Sequence, residues 1–341
     1  MTDNNLIKKL WQRPSIIIVT LLFLFLLVVP KIVTGYYLHA VILIIMYATL
    51  GTAWNWIGGF AGQMSLGNAV YFGLGAYATA CSQLWWGWNP WLGLLLGIVL
   101  SGIVAFLIGL PCFRLKGHYF AIATMAVGEI VNIIFTNWDA AGGASGLYLT
   151  ITESSLLNFQ FASKVPYFYI VLVLLVLATA ITIWLKNSRS GYYFRAIKED
   201  PEAAKALGIN LVNRKLMAII LSGTVSSVAG SFWINYMLFI DPPSAFLIMT
   251  SVQIALIAVM GGMGTVWGPI VGASIIIPLS EGSRMFLGGT GSGIDLVIYG
   301  LLIMLVAIYQ PGGIVGAVNN YTKKRQSKKK ATLKAVQEVS E

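Results

Sequence analysis

Apolar runs of about 20 residues, the length that crosses a bilayer hydrocarbon core, recur along the chain. They fall at 15–34, 38–57, 66–85, 91–111 and 119–137, then at 167–185, 216–239, 246–262, 268–287 and 293–311. The pattern predicts an all-α polytopic membrane protein of about ten transmembrane helices, with nine or eleven as the neighbouring counts. The runs 66–85 and 268–287 are rich in glycine and also fit re-entrant or broken helices. Pro14, Pro30, Pro90, Pro111, Pro166, Pro242, Pro243, Pro269 and Pro311 lie at or near the limits of the runs, where a missing N–H costs a helix least. Trp85, Trp86, Trp88 and Trp91 crowd one connection, and Trp11, Tyr36, Tyr37, Trp138, Trp184 and Trp267 mark other ends, as an interfacial aromatic belt requires.

The positive charges set an orientation. With both termini cytoplasmic, the inner connections take Lys8, Lys9, Arg13, Arg114, Lys116, Lys186, Arg189, Arg195, Lys198, Lys205, Arg214, Lys215 and the seven basic residues of the tail. Only Lys31, Lys164 and Arg284 fall outside, so 19 of the 22 Lys and Arg obey the positive-inside rule. The expected organisation is a cytoplasmic N-terminus (1–14), a transmembrane domain (15–311) with a cytoplasmic loop at 186–215, and a basic cytoplasmic tail (312–341). Five crossings on each side of the outer connection 138–166 fit two inverted five-helix halves. Gly58, Gly59, Gly62 and Gly67 in the first half match Gly261, Gly262, Gly264 and Gly268 in the second.

Composition closes off other classes. Hydrophobic residues make up 57% of the 341 positions and charged residues 10%, against about 25% charged in soluble domains. The net charge of +10 sits between apolar runs and in the tail, the pattern of membrane topology rather than of nucleic-acid binding. Cys81 and Cys112 match neither a disulfide framework nor a metal pattern and read as small hydrophobes. The N-terminal stretch has the charge and apolar run of a signal peptide, but without a small-residue cleavage site it reads as an uncleaved first span. Lys323 to Lys330 in the tail suit anionic lipid or serve as a topology anchor.

Chemistry concentrates in few places. In the loop 186–215, Asp200 is placed to cap a helix that starts with Pro201 and Glu202, and Gly208 to end it in the left-handed region. Glu129 is the one charge deep in a span, where a carboxylate must face protein or water. It is a candidate for the translocation path, or for holding helices together through Asn132. Gln63, Ser65 and Asn68 at the entry to the third crossing, and Gln253 in the eighth, are further path candidates, with interhelical hydrogen bonding as the alternative. Thr224, Ser226 and Ser227 carry less weight, because hydroxyls often bond back to their own helix. Spacings such as Gly93/Gly97 and Gly264/Gly268/Gly272 read as packing surfaces, within the chain or against a partner. No GxxxxGK[ST] phosphate loop is present, and the glycine-rich stretch at 288–293 lacks the lysine.

Glu202-Ala203-Ala204 followed by Gly208 resembles the EAAxxxG core by which permeases of ABC importers dock onto their ATPases, although Leu221-Ser222 stands where that pattern ends in Ile-x-Leu-Pro. Other segments resemble the LivM type of branched-chain amino acid permease. They are Gly62-Gln63-Met64-Ser65-Leu66-Gly67 to Gly73-Leu74-Gly75-Ala76-Tyr77, then Arg114-Leu115-Lys116-Gly117, Gly128-Glu129-Ile130 and Gly142-Gly143. Arg195-Ala196-Ile197-Lys198-Glu199-Asp200, Gly208-Ile209-Asn210 and Gly261-Gly262-Met263-Gly264 complete them. Asn68 departs from a histidine common in that family. The resemblance implies a multi-pass permease of the bacterial plasma membrane, without enzyme activity or cofactor of its own. Its implied partners are a LivH-like second permease, two cytoplasmic ATPase subunits that bind ATP and Mg, and an external substrate-binding protein. Asp200, Glu202, Ala203, Ala204 and Gly208 are then the ATPase-coupling residues. Permeases for urea or short amides resemble the chain over the same segments and leave the cargo open. A self-sufficient secondary transporter or channel would need an ion-coupling site for which Glu129 alone is available.

Overall fold

The computed structural model describes residues 29–33, 35–115 and 117–286, with 300, 301, 304 and 313–316. Most of the described residues are helix: α1 (Tyr36–Asn55), α2 (Asn68–Trp86), α3 (Pro90–Cys112), α4 (His118–Thr136), α5 (Lys164–Asn187), α6 (Arg189–Glu199), α7 (Pro201–Ala206), α8 (Leu211–Met237), α9 (Pro242–Phe246), α10 (Ile248–Gly262) and α11 (Gly268–Phe286). A π turn, Trp56–Phe60, continues α1, and two-residue strands β1 (Leu147–Tyr148) and β2 (Phe239–Ile240) pair antiparallel. Six helices among the described residues are long and apolar enough to cross a membrane: Tyr36–Phe60, Pro90–Cys112, His118–Thr136, Lys164–Asn187, Leu211–Met237 and Pro242–Gly262. The glycine-rich runs at 66–85 and 268–287 form the unbroken helices α2 and α11. The expected crossings 15–34 and 293–311 fall almost wholly outside the described residues.

Local chemistry sets the limits of the helices. Asn89 caps α3 by accepting from Trp91 N at 3.0 Å, with Pro90 at the first position. Gly87 ends α2 in the left-handed region, and its N–H reaches Gln83 O at 3.1 Å. Asp241 and Ser244 form a reciprocal capping box at α9.

Successive connections alternate between two faces. On one, Lys164 Nζ donates to Gly35 O at 3.4 Å, Trp91 Nε1 to Leu156 O at 2.8 Å, and β1 pairs with β2. On the other, the basic face, the π turn, Phe113 and Phe194 of α6 share one apolar cluster.

Between the faces, α8 packs on α2 and α3 through small residues. A Cβ on Gly75 would land on the Ser227 carbonyl, and one on Gly230 on the Phe72 carbonyl. One on Gly97 would lie 3.0 Å from the Gly75 Cα. With almost no hydrophobic drive between helices in lipid, such close backbone approach is what dispersion needs to hold them. The Gly93/Gly97 and Gly264/Gly268/Gly272 spacings are filled by this chain's own helices, since a Cβ on Gly272 would meet Ile257 O. Within this chain they are packing surfaces. A second group, α1 with α5, α10 and α11, completes the body.

Candidate functional site

The two glycine clusters of the sequence meet on the basic face. The π turn after α1 carries Gly58 and Gly59, and the turn between α10 and α11 carries Gly262 and Gly264. Asn55, fully buried at the end of α1, joins them: its Oδ1 accepts from Gly264 N at 2.8 Å and its Nδ2 donates to Thr265 O at 2.8 Å. A Cβ on Gly59 would run into Asn55 Oδ1 and stand 2.5 Å from Gly264 N, so only glycine fits there. Thr265 Oγ1 in turn donates to Gly262 O at 2.8 Å and accepts from Gly268 N at 3.0 Å, which starts α11. Trp54 Nε1 donates to Ser65 O at 2.7 Å and holds the next turn against α1. π turns interrupt the regular ladder and are concentrated at functional sites.

Beneath this junction lies the basic loop, which forms two helices where the sequence suggested one. Ser188 caps α6, whose apolar residues Phe194 and Ile197 are buried against the spans. Asp200 caps α7, accepting from Glu202 N at 2.9 Å and Ala203 N at 3.1 Å, with Pro201 at its first position. Gly208 takes φ +81°, and Ile209 N closes onto Ala204 O at 3.1 Å, so the expected start and stop chemistry is present. Ala204 is buried while Glu202 and Ala203 are exposed. Leu207, 81% exposed just past the end of α7, is a large apolar side chain left open to solvent. Sequence reasoning missed Leu207 and Lys198. The signal for Leu207 was its place inside the EAAxxxG core.

The path candidates separate into two groups. Ser65 and Asn68 are fully buried. Asn68 Nδ2 donates to Ser222 Oγ at 3.3 Å and Ser226 Oγ at 3.4 Å, tying α2 to α8, and its Oδ1 has no partner among the described residues. Thr79 with Ser231 and Gln83 with Asn235 continue that polar ladder. Thr224 bonds back to Leu221 O within its own helix. Gln63 is half-buried in the loop before α2, and Gln253 half-buried on α10. Glu129 lies at mid-length on α4 and is exposed. Asn132 Nδ2 donates to its Oε1 at 3.5 Å, while the buried Asn132 Oδ1 has no partner among the described residues. The structure therefore brings Glu129 and Asn132 together on one helix, and Ser65 and Asn68 in the interior near the junction. It does not gather all six candidates into one pocket.

A family model described as branched-chain amino acid transport system / permease component matches residues 36–307. The chain is 28% identical to the high-affinity branched-chain amino acid transport system permease protein LivM of Salmonella typhimurium, over 79% of this chain and 68% of that protein. It is 24% identical to a probable branched-chain amino acid transport permease protein LivM of Methanocaldococcus jannaschii, over 72% of this chain and 78% of that one. It is also 28% identical to the fructose import permease protein FrcC of Rhizobium meliloti, over 66% and 64% respectively. No solved structure matches the chain.

Proposed function

The chain belongs to the branched-chain amino acid transport permease family, and from that premise we propose that it is the membrane subunit of an ABC importer that carries leucine, isoleucine and valine into the cytoplasm. In this reading ten crossings place both termini and the basic face in the cytoplasm, as the 19-to-3 division of basic residues favours. A LivH-like permease completes the membrane part, two ATPase subunits bind ATP and Mg, and an external binding protein delivers cargo. The membrane is the bacterial plasma membrane.

The observation that carries the proposal, beyond family membership, is the shape of the basic loop. α6 is anchored on the spans by Phe194 and Ile197, and α7 projects beyond it, capped at Asp200 and stopped at Gly208. This presents Glu202, Ala203 and Leu207 to a cytoplasmic partner, with Ala204 seated beneath. An ATPase that closes on ATP would displace the pair, and the glycine junction above it is where four spans end. Glu129, Asn132, Gln63 and Gln253 are assigned to the path, and Ser65 and Asn68 to holding α2 in place.

Reconstitution into liposomes with the ATPase subunits, the second permease and the binding protein tests the proposal. ATP-dependent accumulation of labelled leucine, and none of urea or acetamide, is expected. Uptake of urea alone would move the assignment to the amide importers. The fructose import relative shows how far cargo varies on this scaffold. Glu202→Ala and Gly208→Val should leave insertion intact and lower uptake per ATP; unchanged uptake in both would remove the docking assignment.

A further inference from the structure

Lys198 occupies the next-to-last position of α6 and is exposed as a residue, yet its ammonium is tied to a distant turn. Its Nζ donates to Gly59 O at 3.0 Å, across 139 residues of sequence. That carbonyl lies in the π turn that ends α1, among the last carbonyls of a helix, which have no acceptor role within the helix itself. A cation is favoured there by the helix dipole as well as by the hydrogen bond. The stem of the same lysine fills the space beside a second glycine: a Cβ on Gly62 (φ +70°) would stand 3.0 Å from Lys198 Cγ and 3.2 Å from its Cβ. The third contact is across the junction, where a Cβ on Gly264 would lie 3.5 Å from Lys198 Nζ and 3.0 Å from Gly59 O. One side chain therefore touches the break after α1, the entry to α2 and the turn between α10 and α11.

Resting on the importer reading above, we infer that Lys198 is a positioning residue that couples the ends of α1, α2, α10 and α11 to the basic loop, so that displacement of α6 is transmitted to the glycine junction. The geometry supplies both ends of such a link. Lys198 follows directly on the buried Ile197, one helical turn after Phe194 of the apolar cluster shared with Trp56 and Phe60, and lies two residues before Asp200, which caps α7. A pull on α7 reaches Asp200, then Lys198, within three residues. On the other side Asn55 already fastens Gly264 and Thr265 to the end of α1, so the two breaks move as a unit. The bond to Gly59 is a single charge-assisted contact at the edge of the protein, strong enough to transmit a load and able to re-form in water once broken.

The test uses the whole complex in liposomes with two variants. Lys198→Met keeps the length of the stem and removes donor and charge; Lys198→Arg restores both. Lys198→Met is expected to retain co-purifying ATPase subunits and basal hydrolysis, while leucine taken up per ATP falls by about tenfold, the weight of one hydrogen bond to a charged group. Lys198→Arg should recover most of that ratio. A spin label at Met64, itself 45% exposed, supplies a readout independent of cargo: its ATP-dependent shift relative to a label at Lys205 should be present in the parent complex and lost in Lys198→Met. An unchanged ratio in Lys198→Met overturns the inference. Loss of the assembled complex in that variant also overturns it, because the lysine would then hold the fold rather than carry motion. If the parent complex binds no ATPase, the importer reading has failed, and that result is separate from either outcome at Lys198.

Discussion

α3 and α4 are neighbours in sequence and both peripheral, with 28% and 22% of their apolar windows buried, yet only α4 carries a carboxylate among its exposed apolar residues. On α3 the buried residues are Pro90, Gly93, Gly97, Ser101, Ala105, Gly109 and Cys112, nearly all four apart, and the exposed ones are Leu92, Leu95, Val99, Ile103, Phe106, Leu107 and Leu110. That is a helix with a small-residue face for its neighbours and an unbroken apolar face for lipid. α4 buries only Phe120, Thr124, Gly128 and Phe135 and exposes Ile122, Ile130, Ile133 and Ile134 with Glu129 among them, beside Asn132, whose buried Oδ1 lacks a partner among the described residues. An ionised side chain at the bilayer centre costs about 3 kcal/mol on the mildest scale. The difference teaches that exposure in a membrane helix has two meanings: the exposed face of α3 is apolar throughout and suits lipid, whereas that of α4 holds a carboxylate that must meet protein or water.

The largest effect should come from making α3 resemble α4. Val99 is 56% exposed near the middle of α3, and Val99→Asp should cost about 3 kcal/mol of insertion. Monodisperse yield in detergent and the fraction inserted in membranes measure it. A variant that inserts and transports normally would show that α3 does not face lipid.

The converse exchange is the next largest. Glu129→Leu should insert at least as well as the parent, since it removes the one charge in the middle of α4. Leucine uptake in Glu129→Leu and Glu129→Gln should nevertheless drop by about tenfold, matching the loss of one charge-assisted contact. If Glu129→Leu transports at the parental rate, the face of α4 is inert and the contrast with α3 disappears.

How much of this was legible in the sequence depends on the range of the interaction. The helices α3 and α4 could be read from apolar length, and the start of α3 from Pro90, because helix starts are settled within a few residues. Asp200, Pro201 and Gly208 were legible for the same reason. Which face of each helix packs inward was harder, since in a membrane both faces are apolar and the usual 3.6-residue contrast is muted; only the four-residue spacing of small side chains gives it away on α3. The glycine clusters at 58–67 and 261–268 stood out as a pair, but Asn55, which joins them, has partners 209 and 210 residues away. Lys198 looked like one basic loop residue among several, because its acceptor belongs to a distant turn. Asn68 was legible as polar and near the junction, but its burial between α2 and α8 follows from tertiary packing alone.

The smallest effect tests how tightly the two helices are held. A Cβ on Gly97 of α3 would stand 3.0 Å from both Gly75 Cα and Ser227 Oγ, whereas one on Gly128 of α4 would meet nothing nearer than Val70 Cγ2 at 3.8 Å. Both glycines are buried and mid-helix, so alanine brings the same gain in helix propensity, up to about 1 kcal/mol. At Gly97 overpacking of about 1–3 kcal/mol offsets that gain, and the melting temperature of the detergent-solubilised protein should fall. At Gly128 nothing opposes it, and the melting temperature should rise slightly. The informative companion measurement is uptake. If α4 is a loosely seated wall whose displacement accompanies transport, Gly128→Ala should stabilise the protein and leave the rate unchanged, because its inward contacts are at ordinary van der Waals distance already. A fall in melting temperature at Gly128 equal to that at Gly97 would mean that α4 is packed as closely as α3, and that Glu129 is held by the fold rather than offered to a polar surface.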